Sequence, residues 1–193
     1  MAITSDNKFI VSGSFDKTMR VWNLQEKCQE PDLEGHTNYI LIMKISCDNK
    51  FVVSSSMDKT IRVWNLDNKR QEAVLEGHTS FVKTLAISSD TKFIVSGSFD
   101  HTVRVWNFQN KSQEAIFLGH KSEVTSVAIT RNKKFIVSCC YILTSRGNLK
   151  NNQKSFQKIK IMFVMDSEVN KFIPITMALK YNFKLKSLSI FQH

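Results

Sequence analysis

The stretch Lys92-Phe-Ile-Val-Ser-Gly-Ser-Phe-Asp-His-Thr-Val-Arg-Val-Trp-Asn107 decides the fold, because residues 8–23 have already spelled nearly the same words. Comparing residues 6–30 with 90–114 gives 19 identities in 25 positions. Trp22, Trp64 and Trp106 stand 42 residues apart, and Gly35-His36, Gly77-His78 and Gly119-His120 keep the same interval. The run Lys-Phe-(Ile/Val)-Val-Ser begins at Lys8, Lys50, Lys92 and Lys134. No compositional bias produces that register, so the chain is built from internal repeats.

Each repeat reads as short strands joined by polar turns. Phe9-Ile-Val-Ser-Gly-Ser14 is a strand bounded by turn residues, and Phe15-Asp-Lys17 is a tight connection. Thr18-Met-Arg-Val-Trp-Asn23 alternates, with Met19 and Val21 on one face and Thr18, Arg20 and Trp22 on the other. Tyr39-Ile-Leu-Ile-Met43 is nearly continuous in apolar residues, the pattern of a strand buried on both faces. Gln71-Glu-Ala-Val-Leu75 is more polar and suits an outer edge. The first copy places Pro31 and Asp32 in that run, and proline is tolerated mainly on edges.

Four short strands per 42 residues, with Gly-His and a tryptophan-bearing strand, resemble the WD-repeat family. The resemblance covers residues 1 to about 140. The second letter of the signature dipeptide is Asn here (Asn23, Asn65, Asn107). The fold implied is all-β: a partial β-propeller of about three to four four-stranded antiparallel blades, plus an irregular basic tail. Residues 1–140 would form the incomplete array, and residues 141–193 a degenerate repeat and basic, partly disordered tail.

The resemblance also implies a buried hydrogen-bonded network in each blade. By matching positions it joins His36, Asp58 and Trp64 in one blade and His78, Asp100 and Trp106 in the next. Ser54 or Ser56, and Ser96 or Ser98, complete the sets; alternation puts each serine pair on one strand face, so both choices stay open. Asp16, Trp22 and His120 are the corresponding members in the outer copies. Such a His/Ser/Asp trio also has the composition of a hydrolytic triad. It recurs in successive repeats, however, whereas an enzyme needs one preorganised site, so the expected role is structural. The expectation is therefore no enzyme, no cofactor and no metal: the sequence holds no phosphate loop and no clustered metal ligands.

Partner binding in this family is expected on the face bearing the Gly-His loops and the tight Asp turns. The residues before each turn Asp are candidate contacts: Phe15, Met57 and Phe99, with Tyr141 in the degenerate copy. Tyr39, Leu41, Phe81 and Lys83 follow the Gly-His loops and are expected at the channel mouth. Exposed aromatic and methionine side chains are good anchors for a peptide. The implied function is a non-enzymatic scaffold or adaptor that binds other proteins.

Charge divides the chain. The net charge is +10, of which residues 1–140 carry +3 and residues 141–193 carry +7. Basic residues of the tail are interspersed with Phe156, Phe163, Phe172, Tyr181 and Phe183, a composition able to neutralise phosphates and stack on bases, so binding of nucleic acid or another acidic surface is one competing reading and a non-functional truncated copy the other. No apolar stretch is long enough for a membrane span. Cys28, Cys47, Cys139 and Cys140 lack CxxC spacing, which points to a reducing intracellular setting, cytoplasmic or nuclear. Asn148-Leu-Lys-Asn-Asn-Gln-Lys-Ser155 reads as a polar linker, and Ile159-Lys-Ile-Met-Phe-Val-Met165 as a strand. Met1 falls mid-strand on the repeat grid, and the pattern collapses after Ser138, where Ile142 replaces the turn Asp. Three blades and about half of another are expected, as in a fragment or truncated copy of a longer propeller. Its open ends would be covered by the tail or by a second copy, or would lead to aggregation, the expected outcome.

Overall fold

The structure, a computed structural model, describes residues 1–133, 135–142, 157–164 and 173–174, and from residue 141 onward it is described as backbone. β1 (Ala2–Ile3), β2 (Phe9–Gly13), β3 (Met19–Asn23) and β4 (Cys28–Gln29) pair in that order as an antiparallel sheet. β5 (Ile40–Ile45), β6 (Phe51–Ser56), β7 (Ile61–Asn65) and β8 (Arg70–Leu75) form the second, and β9 (Val82–Ile87), β10 (Phe93–Ser98), β11 (Val103–Asn107) and β12 (Gln113–Phe117) the third. The fourth sheet contains β13 (Val124–Ile129), β14 (Ile136–Ile142), β15 (Gln157–Val164) and β16 (Ile173–Pro174). The described residues form no helix. Four four-stranded antiparallel sheets in series are the blades of a partial β-propeller.

The half blade expected at the end is therefore a full sheet. β15 pairs with β14 in a continuous register, Ile136 opposite Phe163 and Cys140 opposite Ile159. Asn148–Ser155, read as a linker, lies outside the described residues, as do the remaining tail residues.

Alternation sets which face each side chain takes. In β3, Met19 and Val21 are buried on one face, while Trp22 is exposed on the other. Each blade thus has two apolar faces, and three separate cores lie between consecutive blades. Phe9, Val11, Met19, Val21 and Leu33 of the first blade meet Ile40, Met43, Val52, Trp64 and Leu66 of the second. Val53, Ile61, Val63 and Leu75 then meet Val82, Leu85, Ile94, Trp106 and Phe108. Val95, Val103, Val105 and Phe117 meet Val124, Val127 and Ile136 in the third.

The run from Tyr39 to Met43 departs from its expected burial. Tyr39 is exposed, Leu41 and Ile42 are half-buried, and only Ile40 and Met43 are buried. A bulge between Ile40 and Ile42 turns the strand so that Ile40 and Met43 serve one core and Ile42 the next. At the outer edge, β4 is cut to two residues while β8 runs to six. Pro31 has no N–H for the ladder; Glu30 N donates to Val21 O instead, and pairing resumes between Met19 and Leu33.

Two close approaches need small residues. A Cβ on Gly97 would stand 2.5 Å from Val124 Cγ1 of the next blade, and one on Gly13 would meet Met43 and Ile40. At the same repeat position Ser55 fits by donating its hydroxyl to Val82 O at 2.8 Å.

Left-handed residues mark the turns on the same grid. Asn7, Asn49, Thr91 and Lys133 follow the innermost strands, and Lys17, Lys59 and His101 sit in the tight Asp turns, all with positive φ. Asparagine tolerates this region, whereas β-branched Thr91, at φ 55°, does not. Thr91→Asn is expected to stabilise the chain by about 1 kcal/mol, raising Tm by about 2–4 °C in thermal unfolding.

Candidate functional site

The tight turn after β6 brings Asp58 back beside the Gly-His loop that enters β5. His36 Nδ1 lies 2.7 Å from Asp58 Oδ2, and His36 Nε2 lies 2.8 Å from Ser54 Oγ. Trp64 Nε1 donates to the same Ser54 oxygen at 2.8 Å, and Thr37 N donates to Asp58 Oδ2 at 3.0 Å. The third blade repeats the arrangement: His78 reaches Asp100 and Ser96, each at 2.7 Å, and Trp106 Nε1 donates to Ser96 at 2.9 Å.

The donors and acceptors close without remainder. A carboxylate only accepts, so His Nδ1 carries the proton and Nε2 accepts from the serine hydroxyl, whose oxygen accepts the indole N–H. Burial lowers the pKa of His78, more than the Asp100 carboxylate raises it, which keeps the imidazole neutral. For Asp58 and Asp100 burial acts in the opposite direction, raising the pKa. Hydrogen bonds from the histidine and from Thr60 or Thr102 outweigh it and hold both well below the usual carboxylate range.

Ser54 and Ser96, not Ser56 and Ser98, join indole to imidazole. Ser56 and Ser98 close the tight turns instead: each accepts from the turn Asp N–H at 3.0 Å and donates to a loop carbonyl, of Asn38 and Ser80 respectively. Ser54 and Ser96 are fully buried, and their hydroxyls are spent between two partners. Nothing in that geometry leaves a nucleophile facing solvent.

The outer copies differ from the expectation. Asp16 and Trp22 do not enter a histidine-centred network. Asp16 is bound by Thr18, which together with Arg20 at 3.0 Å holds its pKa at about 2. Trp22 Nε1 sits 3.5 Å from Ser12 Oγ with 39% of the residue exposed, against 1% for Trp64 and 2% for Trp106. The cause is packing: among the described residues no blade covers this face of the first sheet, so neither imidazole nor neighbouring side chains press the indole onto Ser12. In the fourth blade His120 Nε2 meets Ser138 Oγ at 2.7 Å, while Ile142 stands where Asp58 and Asp100 stand. Burial, and then His101, lower the pKa of His120.

Pairwise contacts join several of the predicted contact residues. Phe15 stacks on Tyr39 with ring centroids 4.8 Å apart, and both are exposed. Met57 N donates to Tyr39 O, and Phe99 N donates to Phe81 O, each at 2.9 Å. The Phe81 and Phe99 rings lie 5.9 Å apart. Met57, Phe81 and Phe99 are half-buried, as is Leu41, and Lys83 is exposed. The side chains of Tyr141 and of the aromatic tail residues lie outside the described ones.

One group escaped the sequence reading. Glu26, Cys28 and Glu30 gather at the outer edge of the first blade, with ligand atoms within 4.8 Å of one another. Desolvation and the two glutamate charges push the Cys28 thiol up, so it stays protonated, and Glu30 is engaged by Asn23. The cluster lies at an acidic edge, with Glu26 and Cys28 exposed and Glu30 half-buried.

A repeat array of antiparallel blades, its second and third members joined internally by buried histidine-serine-tryptophan hydrogen bonds, has the architecture of a partial β-propeller. The family description "WD domain, G-beta repeat" matches residues 1–23, 27–65, 69–107 and 111–141, more than half of the chain, and the chain belongs to that WD-repeat family. No curated protein matches the chain. WD-repeat proteins are generally non-enzymatic scaffolds that typically bind other proteins. Among the described residues, no helix is long and apolar enough to cross a membrane.

The two kinds of serine separate in a mutational test. Ser96→Ala strands the Trp106 indole and the His78 imidazole in the interior and is expected to cost about 2–4 kcal/mol. Ser12→Ala, beside the exposed Trp22, is expected to cost under about 0.5 kcal/mol. Urea unfolding of the two variants measures both.

Proposed function

We propose that this chain is an adaptor that binds an extended peptide segment of another protein along the rim formed by Phe15, Tyr39, Met57, Phe81 and Phe99. The Phe15–Tyr39 stack carries the reading: two aromatic rings, 67% and 42% exposed among the described residues, are stacked together on the loop face. Rigid aromatic surface binds at low cost in conformational entropy, and such residues dominate interface energetics. Backbone hydrogen bonds tie Met57 to Tyr39 and Phe99 to Phe81, so the rim is preorganised across three blades. Leu41 extends the apolar surface, and Lys83 adds a cation at the mouth. The adaptor performs no chemistry of its own; the groups with catalytic composition are saturated in the blade interiors. It works in an intracellular setting, which its four free thiols support.

A peptide library selected on the full chain tests the rim. Phe15→Ala combined with Phe99→Ala is expected to weaken selected peptides by about 30-fold or more, the loss of one hot spot, with unchanged thermal unfolding. Peptides bound equally by wild type and double variant would place the binding surface elsewhere.

A further inference from the structure

The first blade carries a second surface that no described residue covers, on its side rather than its rim. Met1, Ile3, Ile10, Trp22 and Leu24 lie on the face of the first sheet turned away from the second. Met1, Ile3, Trp22 and Leu24 are exposed and Ile10 is half-buried. Forty-two residues later the same positions hold Met43, Ile45, Val52, Trp64 and Leu66, all packed in the core between the first and second blades. A further repeat on, Leu85, Ile87, Ile94, Trp106 and Phe108 belong to the core between the second and third. This face is therefore one half of a contact that the molecule makes in full twice within its own chain.

The other half is equally specific. Val11, Val53 and Val95, one on the forward face of each of the first three blades, are fully buried by the blade that follows. Val137 on β14 holds that position in the fourth blade and is half-buried. Two residues on, Cys139 takes the place of Gly13, Ser55 and Gly97. Ser55 shows that the contact accepts a side chain of that size, since its hydroxyl reaches Val82 O across the interface. What fits against the first blade is thus a forward face of this repeat, and β14 carries the matching positions at Val137 and Cys139.

We propose that the chain self-associates head to tail, with the Val137–Cys139 face of one copy's fourth blade seated on the Trp22 face of a second copy's first blade. The contact is heterologous: different surfaces meet, so it closes as a ring or runs on as an open polymer. A ring of two copies contains eight blades, within the range of closed propellers. This surface is separate from the rim, and the inference does not depend on the rim being a peptide site.

Sedimentation and light scattering of the full chain, over a micromolar concentration series, read the proposal. The wild type is expected to exceed the 22.2 kDa chain mass as concentration rises. Trp22→Arg and Val137→Arg, each with one face blocked, are expected to remain monomeric alone. Mixed, they retain one intact pair of faces and are expected to form a 1:1 complex of twice the chain mass. Circular dichroism checks that both fold, and Cys139→Arg serves on the same face if Val137→Arg does not. A monomeric wild type at every concentration would overturn the proposal. So would self-association of Val137→Arg by itself, which means first blades pair with one another, or a mixture that stays monomeric.

Discussion

A four-stranded blade with two apolar faces cannot bury both of them by itself, and everything else in this chain follows from that constraint. Each blade is finished by its neighbours: the forward face of one meets the tryptophan-bearing face of the next. The energetic unit is consequently the interface between blades and not the blade. Trp64 and Trp106 are driven onto Ser54 and Ser96 because a preceding blade covers them. Trp22 has the same sequence around it and the same serine ten residues upstream, yet it stands 3.5 Å away from that serine and open to solvent. Identical local sequence gives different local structure because the neighbour differs.

The same constraint directs function away from the residues that look chemical. A histidine between an aspartate and a serine has the composition of a nucleophilic triad, but here the serine accepts a hydrogen bond from the indole N–H and is sealed from solvent. Buried polar groups are kept at little cost only when they are paired, and at full burial Ser54 and Ser96 have no open approach for a substrate carbonyl. The exposed aromatic surface lies instead where strands end, on turns whose backbone is fixed by aspartate side chains. Rigid turns on a rigid array hold Phe15, Tyr39, Phe81 and Phe99 in place with no demand on the core.

Much of this architecture was legible in the residues. The 42-residue spacing of tryptophan and Gly-His located three blades, and alternation in Met19–Asn23 assigned faces. Pro31 marked an edge strand, and the structure shows how strongly it acts. The choice between Ser54 and Ser56 was not legible, because a period of two places both on one face and only the turn geometry separates their partners. The run of residues 159–165 read as a strand, but its place in the fourth blade was hidden for a different reason. β14 recruits Gln157–Val164 by backbone pairing, which demands no particular residue and leaves no repeat signature. The openness of Trp22 was invisible in its own repeat, since exposure there depends on what lies outside it.

The central claim is that each blade's tryptophan is buried by the blade before it, and the chain's three indoles report on it directly. Solvent exchange of the three indole N–H resonances, measured by NMR on the full chain, separates them once each is assigned by Trp→Phe substitution. Two slowly exchanging signals, from Trp64 and Trp106, and one fast signal from Trp22 are predicted at concentrations where the chain is monomeric. Three equally fast indoles would contradict the account, because the interfaces between blades would then not be formed.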